Sequence, residues 1–358
     1  MLGVGIVGLP NVGKSTVFNA LCAGGAKVSN YAFCTIEPNH AVVSVPDPRL
    51  ETVARIFGQE NMVPAAIEFA DIAGLVRGAN QGEGLGNQFL AAIREVDAVL
   101  HVVRCFEDTQ VAHVEGPIDP VRDVAVVETE LILADLGAVE RRREKIAPAL
   151  KGRSKEAIRE AEALDALAAH LAAGRPARTL PERETIVESA QVFLLTDKPE
   201  VYLANTGEDE GESAAHLQRL SACVGGPVVA LSGRLEADLA EMEEGEREAF
   251  VAELQLSASG LERVIQACYE TLDLVTFFTG VGAEARAWAL PRGTTAVQAA
   301  GRIHTDMEKG FIRAEVIPIE ELAEVGSWQE AHRAGRARTE GRDYVVQEGD
   351  VLLIRFNP

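Results

Sequence analysis

The sequence predicts an α/β protein built on a mostly parallel sheet, with a helical hairpin inserted into it and a small α+β module after it. Three observations lead there. Apolar runs at residues 4–7, 41–45, 65–75, 98–106, 200–204 and 228–231 read as buried strands, with helix-like stretches between several of them. From residue 120 to about 199 the apolar period changes to steps of three and four, the mark of amphipathic helices. Beyond residue 273, strand-like alternation returns. The expected domains are therefore 1–119 with 200–273 as the sheet domain, 120–199 as the insertion, and 274–358 as the last module. A chain of 358 residues suits two or three domains.

Composition narrows the functional classes. A net charge of −21 argues against bulk electrostatic binding to nucleic acid or to an anionic membrane, though a local basic patch remains open. Cys22, Cys34, Cys105, Cys223 and Cys268 are odd in number and show no C-x-x-C spacing, so they read as reduced thiols. The N-terminus enters a strand directly, without the charged and apolar regions of a signal peptide. No apolar run reaches membrane-spanning length. The expectation is a cytoplasmic protein with no membrane partner.

The first strand runs into Gly8-Leu9-Pro10-Asn11-Val12-Gly13-Lys14-Ser15-Thr16, and a helix-like run follows. This is G-x-x-x-x-G-K-S between a strand and a helix. Glycines let the backbone fold back so that the N–H groups of Asn11, Val12, Gly13, Lys14, Ser15 and Thr16 point at phosphate oxygens. Lys14 adds positive charge at the β- and γ-phosphates, and the Ser15 hydroxyl suits Mg²⁺. A nucleoside triphosphate is the expected ligand, and the fold becomes that of a P-loop NTPase.

Residues 26–39 show no clean period and read as a loop. Thr35 is the candidate there for a second Mg²⁺ ligand that senses the γ-phosphate, against an ordinary turn threonine. The apolar strand over 65–75 ends in the D-x-x-G of Asp71-Ile72-Ala73-Gly74. Asp71 can hold the water shell of the metal, and Gly74 can offer its N–H to the γ-phosphate. The next residue is Leu75, where small GTPases carry a glutamine that orients the attacking water. Leu75 cannot do this. His113, in the polar loop after the strand over 98–106, is a candidate replacement, set against a plain loop histidine.

Helical periodicity predicts long helices over 123–149 and 155–172, with Pro148, Gly152 and Ser154 at the turn. The tip of this hairpin carries Arg141, Arg142, Arg143, Lys145, Lys151, Arg153, Lys155 and Arg159 against three glutamates. It is either an RNA-contacting tip or a set of solvated helix faces. After the strand over 200–204 comes Asn205-Thr206-Gly207-Glu208, where GTPases place N-K-x-D. Thr206 leaves the ring uncovered and Glu208 moves the carboxylate outward, so guanine selection weakens and adenine is favoured. Asn205 is expected to reach the purine edge. Ser232, after the last strand of this sheet, joins these residues as a nucleotide-binding candidate. The final module contains Arg333, Arg336, Arg338 and Arg342 and shows no catalytic constellation.

Taken together, the phosphate loop, the segment from Tyr31 to Asn39, Asp71-Ile72-Ala73-Gly74-Leu75, His101-Val102-Val103-Arg104-Cys105-Phe106 and Asn205-x-x-Glu208 resemble the YchF/Obg-like ATPase family. The resemblance runs along essentially the whole chain. It implies a coiled-coil insertion in the G-domain and a β-grasp-like TGS domain at the C-terminus. It also implies ATP hydrolysis in preference to GTP with Mg²⁺, and association with ribosomes, the large subunit being the expected contact. Lys14 would be catalytic. Arg141, Arg142, Arg143, Lys151, Arg153, Lys155, Arg336 and Arg338 are candidate RNA or ribosome contacts. A GTPase with unusual base recognition, and an RNA-binding adaptor with incidental turnover, stand as alternatives.

Overall fold

The computed structural model describes residues 2–25, 39–72, 85–108, 111, 113–152, 154–207, 210–242, 245–246, 250 and 259–357. The expectations placed on Thr35, Gly74, Leu75, Arg153 and Glu208 lie outside them.

The chain divides into two compact units. The first comprises Met1–Leu21, Pro38–His40 and Phe69–Cys268, and the second Cys22–Glu37, Ala41–Glu68 and Tyr269–Pro358. Strand β1 is Gly3–Val7 and helix α1 is Lys14–Gly25. They are followed by β2 (His40–Ser44), α2 (Arg49–Phe57), β3 (Met62–Val63), β4 (Ala66–Asp71), α3 (Leu85–Glu95) and β5 (Ala98–Cys105). The helical insertion is α4 (Pro120–Lys151), α5 (Lys155–Ala172) and α6 (Arg183–Ala190). Strand β6 (Glu200–Thr206), α7 (Glu210–Cys223), β7 (Val228–Leu231) and α8 (Gly233–Glu241) return to the sheet.

The sheet order is β2-β4-β1-β5-β6-β7. Strand β1 pairs with β5, β5 with β6 and β6 with β7, all in parallel. All eight residues of β5 are buried, as expected of a strand covered on both faces. Successive strands leave β1 in opposite directions, with β4 on one side and β5 on the other. The loop after β1 therefore sits at the crevice where open parallel sheets bind ligands.

The insertion forms as the periodicity predicts. Asp119 caps α4 and Ser154 caps α5, each accepting from a backbone N–H of the first turn. Ile132, Val139, Ile146, Leu164, Leu167 and Leu171 form its core. Helix α4 runs through Pro148, which the sequence reading places in the turn. Proline there forfeits only one hydrogen bond, close to the helix end, so the last turn survives. The buried Asp135 ties the segment after α6 to α4. Its carboxylate accepts from Leu195 N–H at 2.7 Å, Thr196 N–H at 2.8 Å and the Thr196 hydroxyl at 2.6 Å.

The second unit holds a mixed sheet. Its further strands are β8 (Leu274–Thr279), β9 (Ala285–Pro291), β10 (Phe311–Pro318), β11 (Arg338–Glu340) and β12 (Asp350–Phe356), in the order β11-β10-β12-β8-β9-β3. Helix Ala296–Ile303, opened by a Thr295/Gln298 capping box, packs on Val275, Phe277, Leu290, Val316 and Leu352. This is the expected α+β, β-grasp-like arrangement.

One difference from the expected boundaries stands out: residues 41–68 group with the C-terminal module. Strand β3 lies parallel to β9, with Met62 opposite Ala285. Gln59 Nε2 donates to the Gly280 carbonyl at 3.0 Å, and Arg49 bridges Asp47 at 2.7 Å and Glu348 at 2.5 Å. A two-residue strand has no period to read, so sequence gives no sign of this docking.

Candidate functional site

Strand β1 delivers Gly8 to the carboxyl edge of the sheet. A Cβ at Gly8, whose φ is 147°, would lie 2.4 Å from the Val102 carbonyl oxygen, so only glycine lets the loop turn against β5. Gly13, with φ of 100°, presses equally on Asn205, whose Nδ2 a Cβ would meet at 2.2 Å. Leu9 and Val12 are buried and pin the loop from within, while Asn11, Ser15 and Thr16 are exposed. Helix α1 starts at once, with Val17 N–H donating to the Gly13 carbonyl at 3.0 Å. The loop thus ends on a helix N-terminus, where N–H groups and dipole both favour an anion.

Lys14 lies inside this loop. Its Nζ donates to the carbonyls of Leu9 at 2.8 Å and Gly8 at 3.1 Å. Burial pulls the ammonium below its ordinary pKa, and the charge of Asp71 acts the other way. From the end of β4, the Asp71 carboxylate accepts the Ser15 hydroxyl at 3.3 Å. Two hard oxygen donors and a lysine therefore gather at one mouth, from residues far apart in sequence.

Asn205 carries a structural role that its sequence context does not show. It is buried, and its amide faces the phosphate loop. Nδ2 donates to the Val12 carbonyl at 2.9 Å, and the carbonyl oxygen accepts Gly233 N–H at 2.9 Å. Asn205 therefore staples the phosphate loop to the start of α8. Ser232 is the N-cap of α8 and accepts from Leu235 N–H at 3.3 Å. Thr206, half-buried at the end of β6, stands next to them.

His113 is held inside the protein. Its side chain is only 4% exposed; Nε2 bonds the Asp123 carboxylate at 2.8 Å, and Nδ1 accepts Glu115 N–H at 3.1 Å. With both ring nitrogens engaged, the imidazole has no free lone pair for a substrate water. It ties the loop to α4.

The basic residues divide between the two units. In the first unit, Arg142 pairs with Glu160 at 2.5 Å and Arg143 with Asp165 at 2.8 Å, while Arg141, Lys151 and Lys155 are exposed. In the second, Arg336 pairs with Glu324 at 2.7 Å, and Arg338 approaches Glu340 at 3.8 Å and Tyr344 at 3.3 Å.

Two polar groups were passed over in the apolar run of β5. His101 is buried, stacks on Tyr202 at 5.6 Å between centroids, and is pushed down to about 3 by burial and by the charges of Arg178 and Lys14. The Tyr202 hydroxyl donates to Glu200 at 2.6 Å; Arg178 pairs with Glu200 at 2.7 Å and with Glu128 of α4. The second group is Arg104, buried beside Asn205. A histidine and an arginine within a buried strand were the available signals.

Comparison with known proteins fits this geometry. Residues 3–133 match a family described as 50S ribosome-binding GTPase. Residues 274–357 match the family YchF-GTPase_C, described as of unknown function. The Ribosome-binding ATPase YchF of Bacillus subtilis is 44% identical, with 99% of each chain covered. The protein of the same name from Escherichia coli O157:H7 is 47% identical, covering 99% of this chain and 98% of that one. The solved structure of the Schizosaccharomyces pombe YchF GTPase superposes with a TM-score of 0.85 at 33% identity, covering 99% of this chain and 97% of that one. The chain belongs to the YchF family.

Proposed function

We propose that this YchF-family chain is a Mg²⁺-dependent P-loop nucleoside triphosphatase that hydrolyses ATP in preference to GTP and works on the ribosome in the cytoplasm. The observation that carries this reading is the phosphate loop itself. Its two glycines are forced against Val102 and Asn205, Lys14 sits within it, and Ser15 meets Asp71 at 3.3 Å.

In this reading the amides of Asn11 to Thr16 cradle the phosphates, and Lys14 turns its ammonium from the carbonyls of Gly8 and Leu9 to the β- and γ-oxygens. A divalent cation suits the donors at the mouth. A hydroxyl and a carboxylate are hard oxygens, and Mg²⁺ takes few protein ligands beside phosphate and water. Ser15 would hold it directly, Asp71 through water, and Thr35 as a further oxygen donor. When bound, it neutralises charge between the β- and γ-phosphates. Gly74 would face the γ-phosphate. Leu75 cannot orient the attacking water and His113 is already committed, so the chain alone turns over slowly and a bound partner supplies the missing group.

Base choice rests on Thr206 and Glu208, where guanine-selective sites carry lysine and aspartate. The names of the bacterial relatives support ATP and the ribosome. The fission-yeast relative is called a GTPase, so a GTPase is the second reading. The insertion serves as a coiled coil and the last module as a TGS domain. Arg141, Arg142, Arg143, Lys151, Arg153 and Lys155, with Arg336 and Arg338, supply contacts to RNA of the large subunit. The exposed ion pairs among them are worth only about 0–1 kcal/mol each and can exchange for phosphate. The test is to measure ATP and GTP dissociation constants and co-sedimentation with purified ribosomes. Tighter GTP than ATP, or no co-sedimentation, overturns the reading.

A further inference from the structure

Among the described residues Arg104 is the largest fully buried side chain, 1% exposed on a strand that is otherwise mostly apolar. Its partners are unusual for a buried cation. Nε donates to the Phe106 carbonyl at 3.1 Å, Nη1 to the Val111 carbonyl at 3.0 Å and Nη2 to the Asp108 carbonyl at 3.2 Å. The guanidinium also lies 4.4 Å from the centroid of the Phe106 ring. One planar fork thus organises the chain just past the end of β5. Lysine could not reproduce it, because an ammonium lacks the fixed fork of donors.

That end of β5 lies beside the end of β6, with Arg104 opposite Asn205 and Cys105 opposite Thr206. One side chain joins the two. The Ser213 hydroxyl donates to the Cys105 carbonyl at 3.2 Å and accepts Gly207 N–H at 3.2 Å. Downstream, His113 binds Asp123 at 2.8 Å, and Arg122 clasps both Asp123 at 2.8 Å and the Pro117 carbonyl at 2.8 Å. Asp119, the cap of α4, is paired with Arg219 of α7 at 2.8 Å. From Gly207 to the first turn of α4, side-chain bonds hold the successive segments in fixed register.

We propose that Arg104 is a positioning residue that couples the purine side of the nucleotide site to the root of the helical hairpin. Ordering of Thr206 and Gly207 around a bound base passes through Ser213 to Cys105. The fork of Arg104 passes it on to the segment that His113 fixes to α4. The hairpin then carries nucleotide state outward, and a ligand on the hairpin acts back on the nucleotide with equal coupling energy. The inference rests on the reading that ATP occupies the phosphate loop.

Hydrogen exchange followed by mass spectrometry, with and without Mg²⁺-ATP, separates the two. In the unmodified chain ATP is expected to slow exchange at residues 10–17 and also at residues 113–124. In Arg104→Lys the protection at 10–17 is expected to persist and that at 113–124 to be lost. Ser213→Ala, which cuts the same path with a smaller change, is expected to lose the same remote protection, and it decides the matter if Arg104→Lys does not fold. The coupling is overturned if ATP leaves 113–124 unchanged in the unmodified chain, or if the folded variants keep the remote protection. Absence of protection at 10–17 in the unmodified chain would instead refute ATP binding at the phosphate loop, and the coupling with it.

Discussion

Replacing Asn205 with alanine separates the base contact that its sequence context suggests from the loop staple that the structure shows. In the structure, Asn205 holds the Val12 carbonyl and Gly233 N–H at 2.9 Å each. Alanine leaves both backbone groups buried and unpaired, at about 1–3 kcal/mol apiece. The Gly233 side of this cost falls on the start of α8 and lowers stability. The Val12 side falls on the phosphate loop. Losing about 1.4–2.8 kcal/mol of loop organisation raises the dissociation constant roughly ten- to a hundredfold. The staple acts on the loop, which holds the phosphates that ATP and GTP share, so both weaken together and their ratio stays within about threefold. Asn205→Asp sharpens the test. It keeps an acceptor for Gly233 but turns an oxygen toward the Val12 carbonyl, so affinity falls while less stability is lost. Titration calorimetry with both nucleotides, beside urea unfolding, gives the two quantities. A large change in the ATP/GTP ratio with little loss of overall affinity would refute the staple and restore a base contact.

Other consequences follow from the same geometry. Ser15→Ala removes one of the two hard oxygen donors at the site mouth. The Mg²⁺ concentration for half-maximal turnover should rise by about tenfold or more, read from a metal titration. His113→Ala should leave single-turnover hydrolysis unchanged and cost about 1–3 kcal/mol in urea unfolding, since Asp123 loses a buried partner. His101 concerns pH. Its folded pKa, pushed down to about 3, lies below the ordinary 6.5, so below 6.5 the unfolded chain binds the extra proton. Stability from this group is full above 6.5 and falls as pH drops toward 3. Replacing it in His101→Phe should shrink the stability difference between pH 7.5 and pH 5.5 by about 1 kcal/mol, measured by urea unfolding at each pH.

Much of this architecture is legible in the sequence because its signals are local. The phosphate loop needs two glycines, a lysine and a serine at fixed spacing, and the structure brings Gly8, Gly13, Lys14 and Ser15 to one turn. The hairpin needs only a sustained period, and α5 spans the residues that the period marks out, Lys155–Ala172. What stays hidden is long-range. Asn205 reads as a base contact because its neighbours in sequence suggest one. Its committed partners, Val12 and Gly233, are distant in the chain. His113 reads as available because a polar loop surrounds it, yet Asp123 on α4 reaches it. Arg336 and Arg338 look like a free basic cluster until Glu324 and Glu340 are placed beside them. Residues 41–68 carry no sign that β3 will extend the sheet of the C-terminal module, since two residues cannot show a period. Arg104 and His101 were visible as polar residues in an apolar run, but only the folded chain gives them partners.

In the proposed function this phosphate loop serves an ATP-hydrolysing switch whose turnover depends on the ribosome. Single-turnover hydrolysis of ATP and of GTP, each with and without purified ribosomes, tests it most directly. Slow ATP hydrolysis by the protein alone, faster hydrolysis with ribosomes, and weaker use of GTP under both conditions are expected. Hydrolysis of GTP in preference to ATP, or an ATP rate that ribosomes leave unchanged, would contradict it.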